Sequence, residues 1–140
     1  MNANELRINN YFIDTFGHSW CSPNSIQIIK TIGKDGVNEW HDMGTSGCCK
    51  FEDMKPVPIT PELLLSKGFE ISKIYGTYTN GSDYCIVYRS NEGGEDAGWY
   101  IQNDKESDAW CLSVNNEPLQ YVHQLQNLYF DLTGNELLKI

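Results

Sequence analysis

The sequence predicts an α+β protein, and three observations carry that prediction. Short runs rich in β-branched and aromatic residues recur between polar clusters, a proline-marked segment interrupts them once, and one long helical period closes the chain. The expected architecture is a small bent β lobe, a short helix, and a four-stranded antiparallel meander covered by a C-terminal helix. In residue terms the β lobe spans 1–55, the linker and short helix span 56–69, and the meander with its helix spans 70–140, the whole forming one compact unit.

In the first lobe, "LRINNYFI" (Leu6–Ile13) and "SIQIIKTI" (Ser25–Ile32) read as strands. "GKDG" (Gly33–Gly36) is a tight-turn signal that leads to a third strand near Val37–His41, and a weaker one follows around Cys48–Phe51. Three or four short strands joined by glycine-rich loops make a strongly bent sheet, for which an SH3-like half-barrel is one arrangement.

"KPVPITPELLLSKGF" (Lys55–Phe69) marks a boundary. Pro56 and Pro58 hold the chain extended, because each fixes its own φ and restricts the residue before it. Thr60 fits an N-cap, Pro61 the first helical position, and Glu62 complements the helix dipole. Ile59 and Leu64 are spaced as a hydrophobic staple, and Gly68 stops the helix, which should dock by Leu64, Leu65 and Phe69.

Four strands are expected next, near Ile71–Thr79, Asp83–Arg89, Gly98–Gln102 and Ala109–Val114. Asn80-Gly81 suits a two-residue type I′ turn after the first of them. Alternation places Tyr84, Ile86, Tyr88, Trp99, Ile101, Trp110, Leu112 and Val114 on one core face. The opposite, mixed face carries Cys85, Val87, Arg89, Tyr100, Gln102, Cys111 and Ser113.

The last element is "YVHQLQNLYFDLTGNELLKI" (Tyr121–Ile140). Val122, Leu125, Leu128, Tyr129 and Leu132 fall within about 120° of arc on a helix, one stripe wide enough to cover the aromatic sheet face. Gly134 supplies the stop. His123, Asn127 and Phe130 share a flank outside the stripe, which makes them the candidate partner-binding residues. A DNA-reading helix would carry Arg or Lys at its exposed positions, and none occurs between Tyr121 and Leu138.

The charge agrees with that exclusion. The 140 residues carry a formal net charge of −9, and residues 68–140 hold 11 acidic against 4 basic side chains. Direct nucleic-acid binding, which depends on clustered cations, is therefore not expected. No apolar run reaches membrane-spanning length, and the opening "MNANELRINN" lacks a signal-peptide layout, so the expected location is the cytoplasm of whatever cell makes the protein. Five irregularly spaced cysteines read as reduced thiols.

His18, Cys21, His41, Cys48 and Cys49 form the one set with metal-ligand character. A zinc ribbon would repeat the two-residue gap of His18 and Cys21, and adjacent Cys48 and Cys49 do not, so no metal and no cofactor are expected. The three histidines match no nucleophile or metalloprotease spacing, and the carboxylates cluster in loops. No catalytic residues are assigned. Trp20 and Trp40, beside turns of the first lobe, are the candidate ligand-binding residues, because the meander core claims Trp99 and Trp110.

"ELRINNYF", "KPVPITPELLLSKGFE" and "YVHQLQNLYFDLTGNEL" together resemble the landmarks of a family of small proteins from Bacteroides-type bacteria, their prophages and their phages. The family pattern resembles "ELRIGNYV", "PIPLTPELLEKCGFE" and "VHQLQNLYFALTGEEL", in that order along nearly the whole chain. Asn9 stands where the family has glycine, Asp131 replaces an outer-face alanine, and the segment between Asp14 and Glu52 is longer. The resemblance implies phage or mobile-element provenance and brings no activity or site residues with it. The expected function is a non-catalytic accessory binding protein, engaged in counter-defence by binding a host protein or sequestering a nucleotide-type signal, with an oligomeric site one way to build the pocket. Two other readings stand beside it: an enzyme acting on a nucleotide or phosphoester in host–phage conflict, and a virion or structural accessory protein.

Overall fold

A computed structural model describes residues 1, 3–16, 24–40, 46–71, 77–80, 84–89, 97–103, 111–112 and 118–138. The protein is α+β, with two antiparallel sheets, one short helix and a C-terminal helix. It divides into two compact units. The first holds Met1–Val57 with Tyr121–Asn127, and the second holds Pro58–Gln120 with Leu128–Lys139.

The first unit is built on strands β1 (Tyr11–Asp14), β2 (Ser25–Ile32), β3 (Gly36–Trp40), β4 (Ser46–Lys50) and β5 (Met54–Pro56), in the order β4-β3-β2-β1-β5. A 3₁₀ turn at Phe51–Asp53 leads into β5, which pairs back on β1. That strand order, with β5 returning to β1, fits the connectivity of the SH3-like arrangement. The "GKDG" turn closes as expected, with the Gly33 N–H donating to the Gly36 carbonyl at 2.8 Å. The register with β3 shifts between Ile29 and Thr31, an irregularity of the kind that lets a strand bend. Phe12, Ile29, Val37, Cys49 and Met54 form the core, with Met1, Leu6 and Phe51 packed against it.

Two expectations are corrected here. The first strand begins at Tyr11 rather than Leu6, because Asn9 sits at φ 73, in the left-handed region, and ends any extended run through it. The proline segment starts as a strand: Pro56, opposite Phe12, lies on the edge strand β5, where its missing N–H leaves no ladder bond unmade.

The second unit begins with helix α1 (Pro61–Ser66). The Thr60 hydroxyl accepts the Leu63 N–H at 3.2 Å, and Ile59 and Leu64 are both buried. Gly68, at φ 88, ends it: its N–H reaches the Leu65 carbonyl and the Phe69 N–H reaches Leu64, the paired bonds of a Schellman motif. Leu65, expected to dock, is 48% exposed, so Leu64 and Phe69 carry the contact.

The meander consists of β6 (Glu70–Ile71), β7 (Tyr78–Thr79), β8 (Tyr84–Arg89), β9 (Gly98–Asn103) and β10 (Cys111–Leu112), each paired antiparallel with the next. The two ends of the strand expected over Ile71–Thr79 instead pair with each other, and among the described residues the meander has five strands. Thr79 pairs with Cys85. The turn expected at Asn80-Gly81 runs into residues 81–83, which lie outside the described residues.

Ile86 faces Ile101 and Tyr88 faces Trp99, as alternation required. Trp99 meets Tyr78 and Tyr88 edge-on at 5.7 and 5.3 Å between ring centroids. The opposite face is drier than expected, since Cys85 and Tyr100 are both buried.

Helix α2 (Val122–Thr133) is shared between the units. Its later residues bring Tyr129 edge-on to Tyr84 of the meander at 6.3 Å. Leu132, expected in the apolar stripe, lies at the exposed side, and Leu137 and Leu138 beyond the Gly134 stop are buried instead. None of the helices among the described residues is long and apolar enough to cross a membrane.

Candidate functional site

Two features of the first unit carry chemistry: a buried polar clasp and an open cleft. The clasp is formed by the loop from Glu5 to Tyr11 and the start of α2. Gln126, fully buried, accepts the Tyr11 N–H and donates to the Asn9 carbonyl, both at 2.9 Å. The Asn127 carbonyl oxygen accepts from the Asn10 amide at 2.9 Å and from Arg7 Nε at 3.3 Å, while its own amide donates to the Glu5 carbonyl at 2.8 Å. The Val122 N–H donates to the Val57 carbonyl at 2.8 Å. Asn10 and Gln126 are fully buried, so their side-chain amides need these partners, which makes the clasp a device for fixing the loop's path.

His123 lies at the end of the clasp, 2% exposed, its ring stacked on Tyr121 at 5.9 Å. Neither ring nitrogen makes a hydrogen bond, and Nε2 stands 3.6 Å from the Glu5 carboxylate. Burial holds the imidazole below its ordinary pKa, against the opposing pull of Glu5. A neutral imidazole beside a carboxylate has the components of a general base, but at 2% exposure it is closed to a substrate.

The cleft is the other feature. It encloses about 290 Å³ and is lined by residues of β2, the Gly33–Gly36 turn, β3 and β4. Thr31, Asn38 and Cys48 bring polar side chains to one face of the sheet beside it, with Asp35 and Lys50 near the turn, while Val37 and Cys49 belong to the buried core behind. Gly36 is what lets the strands close around it, since a Cβ there would stand 2.2 Å from the Cys49 carbonyl oxygen. Cys48 donates its thiol to the Asn38 side-chain carbonyl at 2.8 Å, across a cross-strand pair. Lys50 reaches Glu52 only at 4.0 Å, and both side chains are about three-quarters exposed, so its ammonium is weakly held.

No known protein family, curated protein or solved structure matches the chain. The site is therefore read from its own geometry.

The residues singled out from sequence are distributed unevenly. Trp20 lies outside the described residues, as do His18, Cys21 and His41. Trp40 ends β3, paired with Ile28 and Ser46. Cys48 and Cys49 alternate, one exposed and one buried, so the two thiols do not face a common point. Among the described residues, no three His, Cys, Asp or Glu side chains gather as a metal would require. Of the helix flank, His123 and Asn127 are engaged inside the first unit with Glu5, Arg7 and Asn10, and Phe130 is half-buried in the second.

Sequence reasoning missed Asn10 and Gln126, and it missed the cleft. Gln126 did leave a signal: it lies four residues after Val122 and three before Tyr129, on the arc that buries. The cleft left none, because its lining comes from three strands that only register brings together.

Proposed function

We propose that this chain is a non-catalytic accessory binding protein of phage or mobile-element origin, and that its ligand enters the cleft beside the β2–β3 turn. The observation that carries the reading is the cleft itself: a preformed hollow of about 290 Å³ with apolar walls and a few polar groups at its rim. That combination favours small-molecule capture. The volume takes one planar ring system or one large side chain, not a folded surface.

Among the forms of counter-defence binding, sequestration of a nucleotide-type signal fits these groups best. Thr31 and Asn38, opposite each other across the strands, would offer hydrogen bonds to the edge of a base. The loosely paired Lys50 would meet a phosphate, which an otherwise acidic chain with a net charge of −9 has few other means to attract.

Calorimetric titration of the full chain against mono-, di- and cyclic nucleotides tests the proposal. Binding by one class, weakened roughly tenfold by Lys50→Glu, is the expected result. Absence of heat and of thermal stabilisation across the panel would remove the nucleotide form. Consumption of any of these compounds would move the protein into the enzyme class.

A further inference from the structure

We infer that two copies of this chain pair edge to edge through β4, antiparallel, about a two-fold axis at Cys48. The inference rests on the strand edge and stands or falls apart from the ligand proposed for the cleft.

β4 is the terminal strand of its sheet among the described residues. The Phe51 N–H donates to the Asp35 carbonyl at 3.4 Å, continuing the register that pairs Gly36 with Lys50 and Trp40 with Ser46. Bonded and non-bonded pairs alternate in an antiparallel ladder, so Cys49 and Gly47 exchange bonds with β3. Ser46, Cys48 and Lys50 then turn their N–H and C=O groups away from β3, toward the open edge.

Such an edge is normally blunted by a proline, a bulge, or charges along its length. β4 reads Ser46-Gly47-Cys48-Cys49-Lys50: it has no proline, its register runs without a shift, and its one charge is at the end. An edge left this open is suited to pairing with another strand.

The sequence of β4 also complements itself. With the axis at Cys48, each Cys48 stands opposite its copy, and each Ser46 stands opposite a Lys50. All three outward-facing residues then meet outward-facing residues, which allows roughly six intermolecular backbone bonds. An axis at Gly47 or Cys49 engages only two of the three. Lys50 meets Ser46 rather than another lysine, so no like charges face each other. This is the isologous contact of a closed dimer. Because Cys48 and Lys50 also line the cleft, each cleft would be bordered by the partner's strand.

Sedimentation of the full chain over a wide concentration range tests the pairing. A monomer–dimer equilibrium is expected. Cys48→Pro deletes an N–H that makes no bond to β3, and Cys48→Lys sets like charges opposite each other. Each should weaken the dimer roughly tenfold or more, with secondary structure retained. If the proline variant fails to fold, the lysine variant still decides the question. Cys48→Ala should remain dimeric. A short bismaleimide should link two wild-type chains and fail to link Cys48→Ala, since directly opposed residues lie about 5.5 Å apart between Cα atoms. A chain that stays monomeric at the highest concentration would overturn the inference. So would a dimer that survives Cys48→Lys unchanged, or one whose cross-link does not need Cys48.

Discussion

Gln126 holds the backbone of Tyr11 and Asn9 at once: its side-chain oxygen accepts one N–H and its amide donates to the other residue's carbonyl, both at 2.9 Å. A glutamine spans two main-chain groups in this way only if both its ends are satisfied, because it is fully buried. Gln126→Leu would keep the volume and remove both of these bonds. The expected loss is about 2–4 kcal/mol, read as a lower denaturation midpoint at unchanged slope. Gln126→Glu should also destabilise, since a carboxylate can accept from Tyr11 but repels the Asn9 carbonyl. A midpoint that does not move in Gln126→Leu would mean that the clasp is incidental.

Asn9 makes a second, opposite prediction. Its φ of 73 is tolerated by asparagine and free of strain in glycine. Asn9→Gly should therefore leave stability within about 0.5 kcal/mol, whereas Asn9→Val should cost roughly 1–3 kcal/mol. Thermal melts of the two variants side by side check it, and equal melts would mean the left-handed turn is not required.

Local signals were the legible part of this fold. The Gly33–Gly36 turn, the Thr60-Pro61 helix start and the Gly68 stop each depend on residues within one turn of each other, and all three form as the sequence implied. The alternation that put Ile86 with Ile101 and Tyr88 with Trp99 was equally local. Gln126 was illegible for the opposite reason: its burial depends on backbone groups 115 and 117 positions away. β5 was hidden by its proline, which reads as linker unless the strand is known to lie at an edge. The cleft, assembled by cross-strand register, has no signature in any single segment.

Gly36 is open to a sharp steric test. An added Cβ would meet the Cys49 carbonyl oxygen at 2.2 Å and the Lys50 Cα at 3.0 Å, both main-chain atoms that cannot swing aside. Gly36→Ala must therefore part β3 from β4, with an expected cost of roughly 2–4 kcal/mol. Gly33→Ala is the control, because its nearest neighbour would stand 3.5 Å away in ordinary contact. Comparable melting temperatures for the two variants would contradict the placement of β4 against the turn.

His123 gives the protein a specific response to acid. Its imidazole is buried, and that burial lowers its pKa from the ordinary 6.5, while Glu5 pulls it upward and the N-terminal ammonium adds to the lowering. In the unfolded chain the ring titrates at its ordinary value, so below that pH the unfolded state binds the extra proton more readily than the folded one. The contribution of a neutral His123 is thus complete above pH 6.5 and is lost as pH falls through the depressed folded value. Urea midpoints measured from about pH 7.5 down to about pH 5.5 should fall for the wild-type chain. They should fall less steeply for His123→Gln, which has no proton to gain while every carboxylate is retained. Parallel profiles for the two proteins would show that the ring does not titrate against folding.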